Sequence, residues 1–587
     1  MSARAVARRG SAPVSARNND IADVFDETAD LLEIEGENPF RIRAYRNAAR
    51  LLRGLKRKAS DMLAAGQDLA ELPGIGEDLA GKIREVVDTG STEILRRLHR
   101  QLPHSIVELL RVPGLGPKRA KLLHDRLGIK SLAELRKVAE AGKLRGLPGF
   151  GAKTEARILE SAAAQQQITP RLTLAAATPQ AEALITYLRS APGVRQVAIA
   201  GSYRRARETV GDLDILATSP RPESVVEYFS SYGMVDHVTA SGTTRGTVVL
   251  RGGLQVDLRV VEDASYGAAL HYFTGSKAHN IAVRRLGQQR GLKINEYGVF
   301  RGAKRIAGET EESVFRAVGL PYIPPELRED RGEIEAARTD TLPRLIEHGD
   351  LCGDLHCHTK ATDGHNTLEE MAIAARERGL KYLAITEHSR RLTVARGFDQ
   401  RRLGKQIDEI DRLNERLARI TLLKGIEVDI LEDGRLDLPD SALSRLDLVV
   451  AAIHSHFNLP AEKQTTRILR AMERPHFSIL AHPTGRLLGT REASPFHMEE
   501  VIKAAHDRGC FLELNAQPDR MDLSDVYCQA AKAAGVLISI GSDSHSTTDF
   551  DFLPFGVGQA RRGWLEKGDV LNTRSLTELR ALLRRTM

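Results

Sequence analysis

Cysteine is scarce. Four occur in 587 residues, Cys352, Cys357, Cys510 and Cys528, in no disulfide or zinc-finger spacing. That excludes a stapled secreted scaffold and fits a reducing, cytoplasmic setting. Long apolar runs are also missing: none approaches the ~18 residues of a membrane span, so no membrane partner is expected. The first 17 residues hold four Arg, no acid and no apolar core of a signal peptide, and are expected to form a disordered basic tail. The apolar share of 42% and charged share of 28% are those of an ordinary globular chain, long enough for roughly three to five domains. Positive charge is confined. Residues 1–170 carry 29 Lys+Arg against 22 Asp+Glu, which accounts for the whole net charge of +7.

The same stretch repeats one pattern three times: LPGIGEDLAGKI (72–83), VPGLGPKRAKLL (112–123) and LPGFGAKTEARIL (147–159). Each pair of glycines, Gly74 and Gly76, Gly114 and Gly116, Gly149 and Gly151, permits a tight turn into a helix. Amides of the turn and the helix N-terminus can hold a phosphate oxygen. The pattern resembles the helix-hairpin-helix motif, which grips DNA backbone without reading sequence. Upstream, GENPFRIRAYRNAARLLRGLKRK reads as amphipathic helix, and Arg41, Arg43, Tyr45 and Arg46 combine charge with a ring suited to a DNA end. Residues 20–90 resemble the amino-terminal domain of polymerase beta. That resemblance implies that Lys82 is a candidate lyase amine, with phosphate-binding or surface roles as alternatives.

The string IAGSYRRARETVGDLDIL (199–216) carries nucleotidyl-transfer chemistry. A strand delivers Gly201 and Ser202 into a turn that opens a helix. Asp212 and Asp214 alternate on the next strand and share a face, and Asp257 lies in a further strand, LQVDLRV. Three such carboxylates can bind two Mg²⁺ (or Mn²⁺), one activating a 3′-hydroxyl and one neutralising a triphosphate. The region resembles the X-family DNA polymerases, including HYFTGSKAHNIAVRRLGQQRGLKINEYGVF (271–300). By that resemblance Ser202, Arg205 and the Gly211 backbone hold triphosphate oxygens. Tyr272, Phe273 and Gly275 shape the sugar pocket, and Asn280 and Arg284 face the minor-groove side of the nascent pair. Two departures stand out: Gln255 replaces an arginine beside the catalytic acid, and Lys277 replaces an acid near the incoming base.

Nine metal-ligand candidates occupy the last 240 or so residues in short runs: His356, His358, Asp363, His388, Glu427, His454, His482, Asp543 and His545. About four ligands serve one metal, so nine can hold two or three, Mn²⁺ or Zn²⁺ by ligand type. The runs follow apolar strand-like stretches (KYLAITEHS, LDLVVAAIHSH, FSILAHP, VLISIGSDSH) alternating with helical ones, an α/β barrel pattern with ligands at strand ends. Order and strings resemble the PHP domain, a distorted (β/α)₇ barrel with a trinuclear site. Arg486, in AHPTGRLLG, is a candidate phosphate contact or a surface residue. Cys357, between two ligands, is expected to point away from the metals.

The whole resembles the bacterial and archaeal PolX family over residues 18–587. The expected architecture is multidomain: tail 1–17, polymerase-beta-like helical domain 18–90, helix-hairpin-helix fingers 91–169, and α+β nucleotidyltransferase palm and thumb 170–325. A linker, 326–348, and the PHP metallo-hydrolase, 349–587, follow. The family resemblance implies a cytoplasmic, monomeric repair polymerase acting on gapped or primed DNA and dNTPs, with a 3′→5′ exonuclease in the barrel. It also raises 3′-phosphatase, AP endonuclease or AP lyase activity. The competing expectations are a small-molecule phosphoesterase of the histidinol-phosphatase type tethered to a DNA-binding front half, and a non-catalytic DNA-end binder.

Overall fold

In the computed structural model the chain divides into two compact units, Met1–Pro170 and Arg171–Met587. The structure describes residues 18–55, 57, 59–72, 74–101, 109, 115, 117–129, 132–147, 150, 151, 155 and 171–587. The expected tail 1–17 lies outside them, as do Gly114, Gly116 and Gly149.

Among the described residues the first unit is helical. Asn38 caps the helix Pro39–Gly54 by accepting from the Phe40 N–H, and Pro39 takes the first turn, where no donor is needed. The stripe Ile42, Tyr45, Ala49, Leu52 recurs at helical spacing and packs with Ile21, Phe25 and Leu32 of the helix Asn18–Glu35. The first glycine turn leads into the helix Glu77–Thr89, which starts after Gly76 and stops at left-handed Gly90.

The second unit begins with a five-stranded sheet: β1 (Gln196–Ile199), β2 (Asp212–Thr218), β3 (Val235–Ser241), β4 (Arg245–Leu250) and β5 (Gln255–Val261). Their order is β1-β2-β5-β4-β3, with β2 and β5 parallel and the other pairs antiparallel. On β5 strict alternation buries Val256, Leu258 and Val260 and leaves Gln255, Asp257 and Arg259 on the other face. The buried face packs with Leu184 and Leu188 of the helix Leu174–Arg189 and with Val225 and Phe229 of the helix Pro222–Ser230. The helices Tyr266–Thr274 and Lys277–Gln289 and a small antiparallel sheet spanning 293–307 follow.

The segment expected as a linker, 326–348, is a packed element rather than an exposed tether. Leu327 and Leu345 join the core around Phe315, and the fully buried Arg328 pairs with Glu311. The Ile346 N–H donates to Leu565 O at 3.0 Å, which ties the segment into the following domain. Pro and charge read as loop signals in sequence, whereas here Arg328 and Glu333 are buried and paired, and Leu327, Leu345 and Ile346 are buried between exposed charges.

Seven parallel strand positions then form a ring: β6 (Gly353–Asp354), β7 (Tyr382–Ile385), β8 (Thr421–Lys424) continuing as β9 (Glu427–Asp429), β10 (Val450–Ala452), β11 (Ile479–Leu480), β12 (Phe511–Asn515) and β13 (Ile538–Gly541). The bridge His388↔Glu427 joins β7 to β9, and Cys357↔Ser544 closes the ring from β13 to β6. Helices intervene between the strands, as parallel connections require. Cys357 lies in the apolar core of this barrel. No helix among the described residues is long and apolar enough to cross a membrane.

Candidate active sites

The palm acids stand where β2 and β5 run side by side. Asp214 is the register partner of Asp257, and Asp212 that of Gln255. The turn before β2 brings Gly201 against the same point. Gly201 has φ +63°, and a Cβ there would collide with Asp214 Oδ2, so glycine is required by conformation and by space. Burial, then the charges of Asp212 and Asp257, pushes the Asp214 carboxyl up to about 7. Asp212 is raised for the same reasons, burial first and Asp257 second, and Arg171 counters them. Asp257 is held by three donors: Arg245 Nη2 at 3.1 Å, Thr247 Oγ1 at 2.6 Å and Gln255 Nε2 at 2.8 Å. Sequence reading placed Gln255 beside this acid but missed Arg245 and Thr247, which reach it from β4, because cross-strand register is not a local signal.

The pocket residues divide. Tyr272 and Phe273 are half-buried and meet edge to face at 5.1 Å, with Arg284 over Tyr272 at 5.5 Å and Arg259 over Phe273 at 4.9 Å. Asn280 is 7% exposed and donates to Tyr272 O at 2.7 Å and Gly275 O at 3.2 Å. It therefore buttresses the turn 272–275 through its amide nitrogen. Arg205, expected at the triphosphate, donates to Glu329 at 2.9 Å and Thr274 O at 2.7 Å. Burial lowers its pKa while Glu329 raises it, and its guanidinium is spent on those partners in this state. Ser202 remains half-buried, and Gly211 lies against the Arg171 guanidinium.

In the first unit Tyr45 is 1% exposed with its ring 5.4 Å from Phe25, so it is core and cannot stack on a DNA end. The ring that is free is Phe40, 76% exposed, with the Arg43 guanidinium 4.6 Å from its centroid. Arg41 is exposed and pairs with Glu37 at 2.8 Å, and Arg46 with Asp30 at 2.9 Å and with Glu33. Lys82 pairs with Asp78 one turn earlier, its side chain 16% exposed. Gly74 takes φ +88°, a left-handed turn open only to glycine at low cost, while Gly76 and Gly151 have open space around them.

All nine barrel candidates converge at strand ends. Three groups of ligand atoms each fall within 4.8 Å: His358, Asp363, His388 and His545; His356, His358 and Asp543; His388, Glu427 and His454. They overlap at His358 and His388, and His482 Nε2 adjoins at 2.9 Å from Glu427 Oε1. The donor set fits divalent metals on direct grounds. His388 Nδ1 and Glu427 Oε2 lie 2.6 Å apart, yet neither makes a hydrogen bond, and His356 Nε2, both His358 nitrogens and Asp363 Oδ1 are likewise buried without partners. Imidazole rings stack at 4.4 Å, His358 on both His388 and His545. Lone pairs aimed at a common point are what a cation satisfies.

Burial opposes charge on His388 and His454, but Glu427 together with Asp363 at His388 and with Asp429 at His454 outweighs it, pushing them up to about 10 and about 9. Burial pushes Glu427 and Asp543 upward, but neighbouring imidazoles (His388 and His454 for Glu427, His356 and His358 for Asp543) hold both well below the carboxylate range. His358 goes the other way, down to about 3, through burial and the charges of His388 and His545.

Three further acids and an amide orient these ligands, and sequence reading missed them. Glu513 accepts from His356 Nδ1 at 2.6 Å and from the His482 N–H at 2.6 Å. Asp429 meets His454 Nδ1 at 3.2 Å, and Asn515 donates to Asp543 Oδ2 at 3.0 Å. Buried Asp354 accepts from Ser542 and from the His356 N–H at 3.2 Å. Period-2 spacing was the available signal: Asp429 follows Glu427 by two, and Asn515 follows Glu513 by two. Arg486 is no phosphate contact in this structure; its guanidinium meets Glu208 of the palm at 2.6 Å. The cation beside the centre is Arg520, 3.7 Å from Asp543.

A palm of the nucleotidyltransferase class thus shares one compact unit with a (β/α) barrel that carries candidate metal-ligand clusters, and a separate helical unit precedes them in the chain. Family models agree: Helix-hairpin-helix domain over 16–92, SAM-like Helix-hairpin-helix tandem over 106–164, DNA polymerase beta thumb over 269–329 and PHP domain over 354–517. The chain is 38% identical over 570 residues to DNA polymerase/3′-5′ exonuclease PolX of Bacillus subtilis, covering 96% of this chain and 99% of that one. The chain belongs to the PolX family. Proteins named "Probable phosphatase" match a smaller part: one from Thermoanaerobacter sp. is 29% identical over 232 residues (38% of this chain, 89% of that one), and one from Clostridium novyi 33% over 203 residues (33% and 78%).

Proposed function

We propose that this chain is a DNA polymerase that fills short gaps in damaged DNA and a 3′→5′ exonuclease that trims the same ends. The observation that carries it is the presence, in one compact unit, of three palm carboxylates and a cluster of eight candidate barrel ligands with His482 adjoining. The proposed domains are those expected from sequence, with 326–348 a packed connection. Asp212, Asp214 and Asp257 would hold two Mg²⁺ or Mn²⁺, which supply charge neutralisation at the triphosphate and a more acidic 3′-hydroxyl. Ser202 and the backbone at Gly211 face the triphosphate, Tyr272 and Phe273 wall the sugar, and Arg284 stacks on Tyr272 to keep that wall in place. Thr247, Arg245 and Gln255 fix the Asp257 carboxylate toward the 3′-hydroxyl.

In the barrel, His356, His358, Asp363, His388, Glu427, His454, His482, Asp543 and His545 would hold two to three Mn²⁺ or Zn²⁺, which supply an activated water and polarise a phosphodiester. Glu513 and Asp429 set the ring orientation of His356 and His454. Arg520, on the Asp543 side, is placed to take a phosphate oxygen. The partners are gapped or primed DNA and dNTPs; the glycine turns at Gly74 and Gly76 and at Gly151 grip the backbone, Arg41 adds charge, and the protein acts as a cytosolic monomer. Lys82 would serve as a lyase amine only after leaving Asp78. The phosphatase relatives favour a second reading, in which the barrel acts on small phosphomonoesters.

A 5′-labelled primer on a gapped duplex separates the readings. With Mn²⁺ and dNTPs it should lengthen, and without dNTPs it should shorten. Asp214→Ala removes extension alone and His358→Ala shortening alone, each by about 10³-fold or more if the metal site is lost. A primer unchanged under every condition, with p-nitrophenyl phosphate hydrolysed, would establish the phosphatase reading instead.

A further inference from the structure

Residues 205–211 join the Ser202 turn to Asp212; their end, Thr209–Val210, pairs with Leu172–Thr173 of the palm itself, and the stretch before it, 205–208, forms the loop between. The barrel fixes that loop at two points. Arg486 Nη2 lies 2.6 Å from Glu208 Oε2 and Nη1 3.4 Å from Oε1, and the buried Gln559 donates to the same carboxylate at 3.3 Å. Arg562, its side chain 3% exposed, donates to Arg205 O at 2.9 Å and meets Glu329 at 3.0 Å. Glu329 in turn receives Arg205 Nε, whose Nη1 reaches Thr274 O in the pocket turn. Phe555 of the barrel packs with Leu174, Tyr203 and Ala206, and Gly558 lies so close to Ala206 that an added Cβ would press on it.

Arg486 is itself rigidly seated. Its Nε donates to Arg520 O at 3.0 Å and its Nη2 also to Met521 O. The turn that carries it starts at the metal-ligand candidate His482 and is tied down by Asp522, which accepts from the Thr484 and Gly485 N–H groups at 2.9 Å each. With side-chain exposures of 16% and 27%, Arg486 and Glu208 form a partly desolvated two-point pair, unlike a solvated surface pair. All three nitrogens of the guanidinium are engaged, and four of its five N–H donors are used within the protein.

We propose that Arg486 and Glu208 are positioning residues for nucleotidyl transfer: a barrel arginine holds the palm loop between Ser202 and Asp212 in working register. The inference rests on the palm being the nucleotidyl-transfer site. Neither residue touches substrate; both act through the loop. Reacting groups displaced by about 1 Å can lose roughly 10²-fold in rate, so a loosened loop lowers kcat measurably.

The test uses the full-length protein on a gapped duplex with Mg²⁺ and one dNTP, alongside exonuclease assays and thermal melts. Glu208→Gln and Arg486→Gln are each expected to lower kcat for addition roughly 10-fold, with KM for dNTP changed less. The double variant should lose no more than either single one. Exonuclease activity of Glu208→Gln should equal that of the parent. Unchanged extension in Glu208→Gln overturns the proposal. So does a parallel fall of both activities with a lowered Tm, which would make the pair merely structural, or loss of exonuclease alone in Arg486→Gln, which would make it a phosphate contact. Asp214→Ala run alongside separates these from failure of the palm reading, since extension surviving in that variant removes the site itself.

Discussion

In the palm, three carboxylates share two adjacent strands, and mutual repulsion with burial pushes Asp214 up to about 7. In the barrel, Glu427 and Asp543 sit deeper, yet imidazoles on every side hold them well below the usual range, and Glu513, Asp429 and Asn515 brace the ligands from behind. The palm acids are buried and repel one another, and Arg171 and Arg245 beside them offset this only in part, so the palm's metals are best brought by the incoming triphosphate and lost with pyrophosphate. The barrel ligands are braced by Glu513, Asp429 and Asn515 before any metal arrives, which suits ions that stay. The two centres thus differ in whether the protein or the substrate completes them.

The largest effect expected from this difference concerns chelation. After treatment with EDTA and desalting, extension should return on mixing with Mg²⁺ and dNTP. Exonuclease activity should stay lost until Mn²⁺ or Zn²⁺ is restored, and metal analysis before chelation should find two to three ions retained per chain. Simultaneous recovery of both activities on adding Mg²⁺ alone would erase the contrast between the sites.

A smaller effect comes from the acids behind the barrel ligands. Glu513→Gln leaves His356 and the His482 N–H with a weaker acceptor and should cost the exonuclease about 10- to 100-fold, with extension intact. Asp429→Asn should act in the same direction through His454 alone. Comparable loss of extension in either variant would show that the two centres are not separately built.

How much of this was legible in sequence follows from what each residue depends on. The nine barrel candidates could be read because they fall in short runs at the ends of apolar strands, and strand ends converge in a parallel barrel. Asp212 and Asp214 were legible from period-2 alternation, whereas Arg245 reaches Asp257 through a register set by the whole sheet. Tyr45 was misjudged although Ile42, Tyr45, Ala49 and Leu52 mark a buried stripe, since neighbouring arginines drew the ring toward a surface role. Asn280 and Arg205 carry side chains whose partners lie 5 to 124 positions away, and nothing local announces those bonds. Arg486 likewise depends on Glu208, 278 positions distant and in the palm. The packing of the connection 326–348 was not legible for a different reason: a few of its charges, such as Arg328 with Glu311, are buried and paired, and composition does not distinguish a solvated charge from a paired one.

The pH profile supplies the finest test of the contrast. Asp214 is protonated below about 7 when no metal is bound, so proton and metal compete for the same carboxylate. At limiting Mg²⁺, extension should rise with pH up to about 7, at most about tenfold per unit for one competing proton, and then level off. Saturating Mg²⁺ should displace the rise to lower pH, because bound metal favours the ionised form. Stability moves oppositely. A carboxyl raised above its unfolded value binds its proton more tightly in the folded state, so metal-free protein loses that contribution as pH climbs from about 4 through about 7. Asp214→Asn should abolish extension and also flatten this part of the melting profile, while leaving the exonuclease pH profile as it was. A melting profile unchanged by Asp214→Asn would mean that Asp214 is already ionised in the metal-free palm, and the repulsion among buried acids that sets the palm apart from the barrel would be gone.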